Sequence, residues 1–334
     1  MNKLKTIGVS ALCGSLAAIS AQAGELTVSG GANATYTTKD KSVTGNPLGM
    51  ATNLSFTGSG ELDSGNTFTV GIYHDDQNGF SSADIGVTIA GVGTISLDQG
   101  GGTGLDRLDD KTPTAWEEPY DAGLGSGIVT ATGVGASTDI EWTLDSGILP
   151  EGMAAHISYA FKAGAGATND KATGGTGSEG INSGYDVVLT HSGMADGLNV
   201  YVGASKIDQT GAQMDDRKAY VVGASYAVGG LTLGYQFSKD SIGRTTTDSY
   251  DNDAYGVSFA VNDNLSVSYG VHKSKSGHDD ATTVVELEAK SLQAAYSMGG
   301  ATAKIGFSSV DNAAYAAGTG GDYDVTSVML SLAF

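Results

Sequence analysis

Between residues 98 and 121 the chain gathers Asp98, Asp106, Asp109, Asp110, Glu117, Glu118 and Asp121, opposed only by Arg107 and Lys111. Carboxylates at this density suit two kinds of chemistry. Lining a water-filled neck, they concentrate cations and repel anions. Converging on one point, Asp106, Asp109, Asp110, Glu117, Glu118 and Asp121 would offer several of the roughly six to eight oxygens that Ca2+ takes. A third reading is a solvated acidic surface loop. Pro113 and Pro119 stiffen the path by fixing φ, and Trp116 and Tyr120 are suited to anchor it to a wall. Asp139 and Glu141 extend the acidic character beyond it.

Other chemistry is poorly supported. Gly101 to Asp109 matches a calcium-binding nonapeptide, but that motif works in stacked copies and here it stands alone. Gly175-Thr176-Gly177-Ser178-Glu179-Gly180 has dinucleotide-loop spacing without a preceding buried strand or a following helix. There is no G-x-S-x-G nucleophile turn. His74, His156, His191, His272 and His278 show no metal-ligand spacing. The chain reads as a non-enzyme that requires no cofactor, with Ca2+ the single candidate ion.

The 334 residues carry 17 Lys+Arg against 37 Asp+Glu, a net charge of −20. Phosphate backbones need a basic surface, so nucleic acid is excluded as a partner. Lys3 and Lys5, the apolar stretch from Ile7 to Ile19 and the small-x-small site Ala21-Gln22-Ala23 form a secretory signal peptide, with cleavage expected after Ala23. Its removal takes away the only cysteine, Cys13, and leaves the chain two charges more negative. The exported chain, residues 24–334, then has no disulfide and relies on backbone pairing and burial.

Positioning the acidic segment falls to strands. Leu26, Val28, Gly30, Ala32, Ala34 and Tyr36 alternate with Thr27, Ser29, Gly31, Asn33, Thr35 and Thr37, a period of two that no helix gives. The pattern recurs to the end, through Leu231, Leu233, Tyr235 and Phe237 and finally Val328, Leu330, Leu332 and Phe334. Short joints such as Ala195-Asp196-Gly197, Gly229-Gly230 and Gly299-Gly300 alternate with long polar ones such as 164–184 and 240–251. Short and long joints in alternation make an up-and-down meander with its long loops at one end. The expected strands number sixteen, starting near residues 25, 50, 67, 83, 94, 138, 153, 185, 198, 218, 231, 253, 265, 289, 301 and 325. An even number lets the sheet close. The strands near Ala83 and Tyr185 are weakly patterned, because Val187, Val188 and Leu189 do not separate the two faces.

The wet face is Gly, Ser, Thr and Asn, too little bulk to fill a closed barrel, and an unfilled barrel of this size holds water. The apolar face, with Tyr159, Phe161, Tyr235, Phe237, Phe259, Tyr296 and Phe307 toward strand ends, suits a lipid-facing belt with aromatic girdles. Closure satisfies every backbone polar group, as hydrocarbon demands. The alternative is a secreted or surface-associated β-protein without a channel, adhesive or binding, that buries the same face in a core.

The leader, the meander, the Gly/Asp turns and a final alternating strand ending on Phe334 resemble the Gram-negative outer-membrane general diffusion porins, most nearly the α-proteobacterial type. The resemblance implies an all-β transmembrane barrel in the outer membrane, in contact with its lipid and reached after crossing the inner membrane. It implies homotrimers, passive diffusion of small hydrophilic solutes and ions, and an assembly machinery that reads the Phe334 strand. It also places a loop folded into the lumen at residues 98–137. The acidic side chains named first, with Arg107 and Lys111, would then line a constriction and favour cations. By strand parity His156, Lys162, Arg217 and Lys304 fall on the lumen wall. The family sets arginines across from its loop; this chain has only Arg107, Arg217 and Arg244, which weakens the expected transverse field.

Overall fold

The computed structural model describes residues 23–40, 45–76, 81–109, 111–121, 125–135, 137–164, 180–211, 215–244, 249–277, 284–318 and 321–334. The expected leader, except Ala23, lies outside these residues, as do Asp110 and His278.

Sixteen strands form the fold: β1 (Ala23–Lys39), β2 (Leu48–Glu61), β3 (Thr67–Asp75), β4 (Ser82–Ile89), β5 (Gly93–Gln99), β6 (Thr138–Leu144), β7 (Met153–Ala160), β8 (Ile181–Ser192), β9 (Leu198–Gln209), β10 (Arg217–Val228), β11 (Leu231–Ser241), β12 (Ser249–Ala260), β13 (Leu265–Gly277), β14 (Val285–Met298), β15 (Ala301–Asp311) and β16 (Tyr323–Ala333). Each pairs antiparallel with its neighbours in sequence, and β1 closes the barrel on β16, with Gly31 opposite Ala333 and Lys39 opposite Val325. Phe334 completes the seam by exchanging two backbone hydrogen bonds with Gly30, at 3.0 and 3.1 Å. The barrel therefore has no free edge to attract another strand.

The expected strand count is met. The starts differ most at the long-loop ends of β8, β12 and β14, which begin at Ile181, Ser249 and Val285, ahead of the expected Tyr185, Asp253 and Ala289. On β12 and β14 those first turns carry ionised residues where the apolar row should continue, so the alternation fades in the sequence while backbone pairing persists.

Burial is inverted relative to a protein folded in water. Large apolar side chains stand on the outside, with Met50 77% and Phe307 52% exposed, while Ser158, Ser274, Ser291 and Gln293 are buried facing inward. In a bilayer the outward row meets hydrocarbon, and transferring that area from water is the driving force that burial supplies elsewhere. Small apolar clusters do exist inside. One joins Leu105, Leu108 and Ala131 to Val188, Tyr201, Ala219 and Val221. Its members come from the 98–137 segment and from β8, β9 and β10, so that segment lies inside the barrel.

Candidate functional site

The segment leaves β5 at Gln99 and returns at β6, and both of its roots are held by carboxylates of the wall. Asp98 Oδ1 accepts from the backbone N–H groups of Gly100 and Gly101 at 2.9 and 3.0 Å. Asp139 accepts from the Thr103 hydroxyl at 2.9 Å, and Glu141 accepts from Gly104 N at 2.8 Å. Glu141 also receives Arg107 and the Ser158 hydroxyl, the latter at 2.9 Å, and lies 3.6 Å from His156 Nδ1. Asp186 Oδ2 accepts from Leu105 N at 2.7 Å and Val134 N at 3.0 Å, tying the outgoing and returning limbs to β8. Ionised acceptors make the stronger class of hydrogen bond, and removing one leaves buried N–H groups unpaired.

Beyond a 3-10 turn (Gly104–Leu108) the described residues of the segment follow the inner wall. The wall matches its shape with glycine. A Cβ added at Gly203 would sit 2.5 Å from Leu105 Cδ1, and one at Gly256 would sit 2.7 Å from the Pro113 carbonyl oxygen. Pro119 rests in the same way over Gly270, and the Trp116 ring over Gly306. Polar side chains then fix the height of the backbone. Gln236 Nε2 donates to the Asp109 carbonyl at 3.3 Å, and Ser268 Oγ accepts from Ala115 N at 2.8 Å. The Gln293 amide works both ways, accepting from Trp116 N at 3.0 Å and Glu117 N at 3.2 Å while donating to the Glu117 carbonyl at 2.7 Å. On the returning limb Tyr120 meets His272 edge-on at 4.8 Å, Asn252 donates to the Val129 carbonyl at 3.1 Å, and Val129 N donates to the Tyr315 hydroxyl at 3.1 Å.

The sequence-predicted residues thus divide by role. Asp98 and Arg107 are bound up in the root of the segment. Asp106 accepts from Gly102 N at 2.8 Å. Asp109, Glu117, Glu118 and Asp121 lie along the stretch that follows the wall, with Asp121 and Lys111 exposed. Burial pushes the Glu117 carboxyl up to about 7; Asp121 adds to the rise and Lys304, inward on β15, opposes it. Of the other wall cations, Arg217 is forked onto buried Asp240, with Nε to Oδ1 at 2.8 Å, so its charge is matched. Lys162 caps the Ile181 carbonyl, and His156 lies 2.9 Å from the Thr143 hydroxyl. Among the described residues no three His, Cys, Asp or Glu side chains converge as a metal site; Asp110 lies outside that set.

Asp186, Gln236, Asn252 and Gln293 were not singled out from the sequence, although they are among the bulkier polar residues at inward positions. That size anomaly among Gly, Ser and Thr was the available signal. Apolar Val188 is inward and buried under Leu105 and Leu108, which explains why β8 does not declare its faces.

A closed sixteen-strand barrel, apolar outside and polar inside, with an acidic segment held within its lumen, is the architecture of an outer-membrane channel. A family model for Gram-negative porins matches residues 8–285, and the chain belongs to that family. No curated protein sequence matches it. The solved structures it resembles include OmpF of Salmonella typhi, in complex with daunomycin (17% identity, 92% of this chain and 97% of that one, TM-score 0.69). They also include an anion-selective porin from Comamonas acidovorans (15% identity, 94% and 100%, TM-score 0.65) and a mutant of the Rh. blastica porin (17% identity, 93% and 100%, TM-score 0.59). At these identities the likeness is one of fold. It agrees with a diffusion channel in the outer membrane and gives no catalytic role.

Proposed function

We propose that this porin passes small hydrophilic solutes with a preference for cations, set by the acidic stretch from Asp106 to Asp121. The observation that carries the reading is the charge pairing around the lumen. Arg107 and Arg217 are neutralised by Glu141 and Asp240, whereas the stretch from Asp109 to Asp121 keeps more carboxylates than cations. Inward positions of β1 and β2 include the neutral Ser29, Asn33, Thr35, Asn53 and Ser55, and the cation among them, Lys39 at the long-loop end of β1, lies over the Tyr323 ring at 4.8 Å. A solute in the neck therefore meets carboxylates on one side and no arginine array on the other, and carboxylates act over a Debye length of about 8–10 Å at ordinary salt. The Comamonas acidovorans porin is named anion-selective on the same fold, so selectivity follows side chains and not the barrel.

The test is the zero-current potential of the reconstituted protein in a KCl gradient. The unmodified channel should show the sign for K+ preference, and Asp109→Asn, Asp110→Asn, Glu117→Gln and Glu118→Gln together should move it toward zero. An unchanged potential in that variant rejects the reading.

We infer also that the chain forms homotrimers through the outer face of its first strands. Leu26, Val28, Leu54, Phe56, Val70 and Ile85 stand there beside small Gly30, Ala32 and Ala34, and no ionised side chain interrupts them. Native mass spectrometry in mild detergent tests this; a monomer at every concentration rejects it.

A further inference from the structure

One aromatic side chain of the acidic stretch is left uncovered. The chain has two tryptophans. Trp142 is outward on β6, and its indole N–H donates to the Val92 carbonyl at 3.0 Å. Trp116 lies inside the barrel. Its six-membered ring rests on β15, where a Cβ added at Gly306 would sit 3.4 Å from Cζ3 and 3.5 Å from Cε3. The residue is only partly buried, whereas Pro119 beside it is buried. Its indole N–H finds no acceptor among the described residues. The ring is not needed to hold the backbone, because the Gln293 amide already fixes Trp116 N, Glu117 N and the Glu117 carbonyl.

Polar groups without partners flank the ring. The Glu117 carboxylate, next in the chain, accepts no hydrogen bond among the described residues. Lys304 is inward on β15, two residues before Gly306, and its charge reaches Glu117. No carboxylate among the described residues is close enough to Lys304 for an ion pair. Across from Gly306 the register sets Ser327, whose hydroxyl lies 3.0 Å from that of Thr37. The set is an apolar ring with donors and acceptors around its edge. A simple inorganic cation has no use for the indole, and a simple anion is opposed by Glu117, Glu118 and Asp121. A cyclic sugar uses all of it. One face of a pyranose is C–H, suited to the negative face of an aromatic ring. The hydroxyls at its rim both donate and accept. Small-molecule sites pair apolar walls with a few placed polar groups in the same way.

We propose that Trp116, Glu117 and Lys304 form a transient binding site for the ring of a neutral sugar at the neck of the channel. The ring stacks on the indole while its hydroxyls donate to Glu117 and accept from Lys304 and the Trp116 N–H. One stacked ring and a few hydrogen bonds support binding in the millimolar range, weak enough for the sugar to leave as it enters. A pyranose is rigid and meets the indole without ordering cost, whereas an open-chain hexitol of nearly the same mass must first be frozen. The proposal rests on the stretch being the neck for hydrophilic solutes, and not on its cation preference.

The test compares glucose with mannitol, an open-chain hexitol, in single-channel recordings of the full exported chain in symmetrical KCl. Both solutes thicken the solution alike, so an excess loss of conductance with glucose reports occupancy of the neck. The excess should grow with concentration and saturate. Trp116→Leu, which keeps bulk and loses the ring, should raise the half-saturating concentration about tenfold. Trp116→Phe should retain part of the effect and Lys304→Met should weaken it, whereas Trp142→Phe should leave it unchanged. In the Trp142→Phe protein, held in a detergent without a sugar headgroup, Trp116 is the sole indole. Glucose but not mannitol should shift its emission along the same saturation curve. Equal loss of conductance with the two solutes in the unmodified channel overturns the proposal and needs no variant. An excess that survives Trp116→Leu unchanged also overturns it. The zero-current potential in a KCl gradient is a separate readout, so failure here leaves the cation preference standing, and loss of that preference leaves this outcome untouched.

Discussion

The Asp186 carboxylate on β8 accepts the backbone N–H of Leu105 at 2.7 Å, and its same oxygen accepts Val134 N at 3.0 Å from the limb that returns. One side chain thus fastens both ends of a segment whose described intervening residues follow the lumen wall. Hydrogen bonds to a charged group contribute about 1.5–3 kcal/mol each. Asp186→Ala should therefore loosen the segment without breaking the barrel. Single-channel recordings should show noisier current and a larger mean conductance, with Asp186→Asn, which keeps an acceptor, in between. Unchanged conductance in Asp186→Ala would mean that the other roots suffice.

The pH response turns on Glu117. Its carboxyl, pushed up to about 7 by burial, is neutral below that value and charged above it. Cation preference should accordingly grow as pH rises through about 7, the opposite of a lysine-controlled neck. Lys304→Gln removes the cation that opposes the rise and should move the midpoint upward; Glu117→Gln should erase the step. Zero-current potentials between pH 5 and 9, roughly two units either side of the midpoint, supply the readout.

Faces of the barrel can be told apart by placing an arginine on each. Val202 is outward on β9, and Ser225 is inward on β10. An arginine near the lipid midplane costs about 2–4 kcal/mol. Val202→Arg should cut the yield of folded protein, seen as heat-modifiable gel mobility, far more than Ser225→Arg. Equal yields would contradict the assignment. Ser268 is a poorer control, because its hydroxyl holds Ala115 N.

Glycine sockets give a steric test. Gly203→Val would press a branched side chain into Leu105 and Leu108. The expected result is a displaced segment and an altered size cutoff in liposome-swelling assays with sugars of graded mass. The barrel itself should still assemble, since β9 remains paired on both sides.

The sequence by itself determined the number of strands and the faces of most of them; β8 is an exception, because apolar Val188 points inward beside outward Val187 and Leu189. Period-two alternation is local, and a one-residue slip would expose every polar side chain to lipid, so the pattern written in Leu26 to Thr37 or Leu231 to Ser238 admits one reading. It also marked residues 98–121 as acidic and stiff. The course of that segment is decided by residues far away in the chain. Asp186, Gln236, Asn252 and Gln293 are each one of several polar residues in their strands, and Gly203 or Gly256 looks like any other glycine. Their meaning appears only when closure of the barrel brings β8 to β14 around one lumen. The apolar row also stops early on β12 and β14 for a reason the sequence does not display. Lys273 and Glu288 are partners only across the β13–β14 ladder, at a depth that the membrane sets. Local alternation is fixed by the energy of one side chain meeting one solvent, whereas the seat of a loop and the pairing of charges depend on distances that exist only after closure.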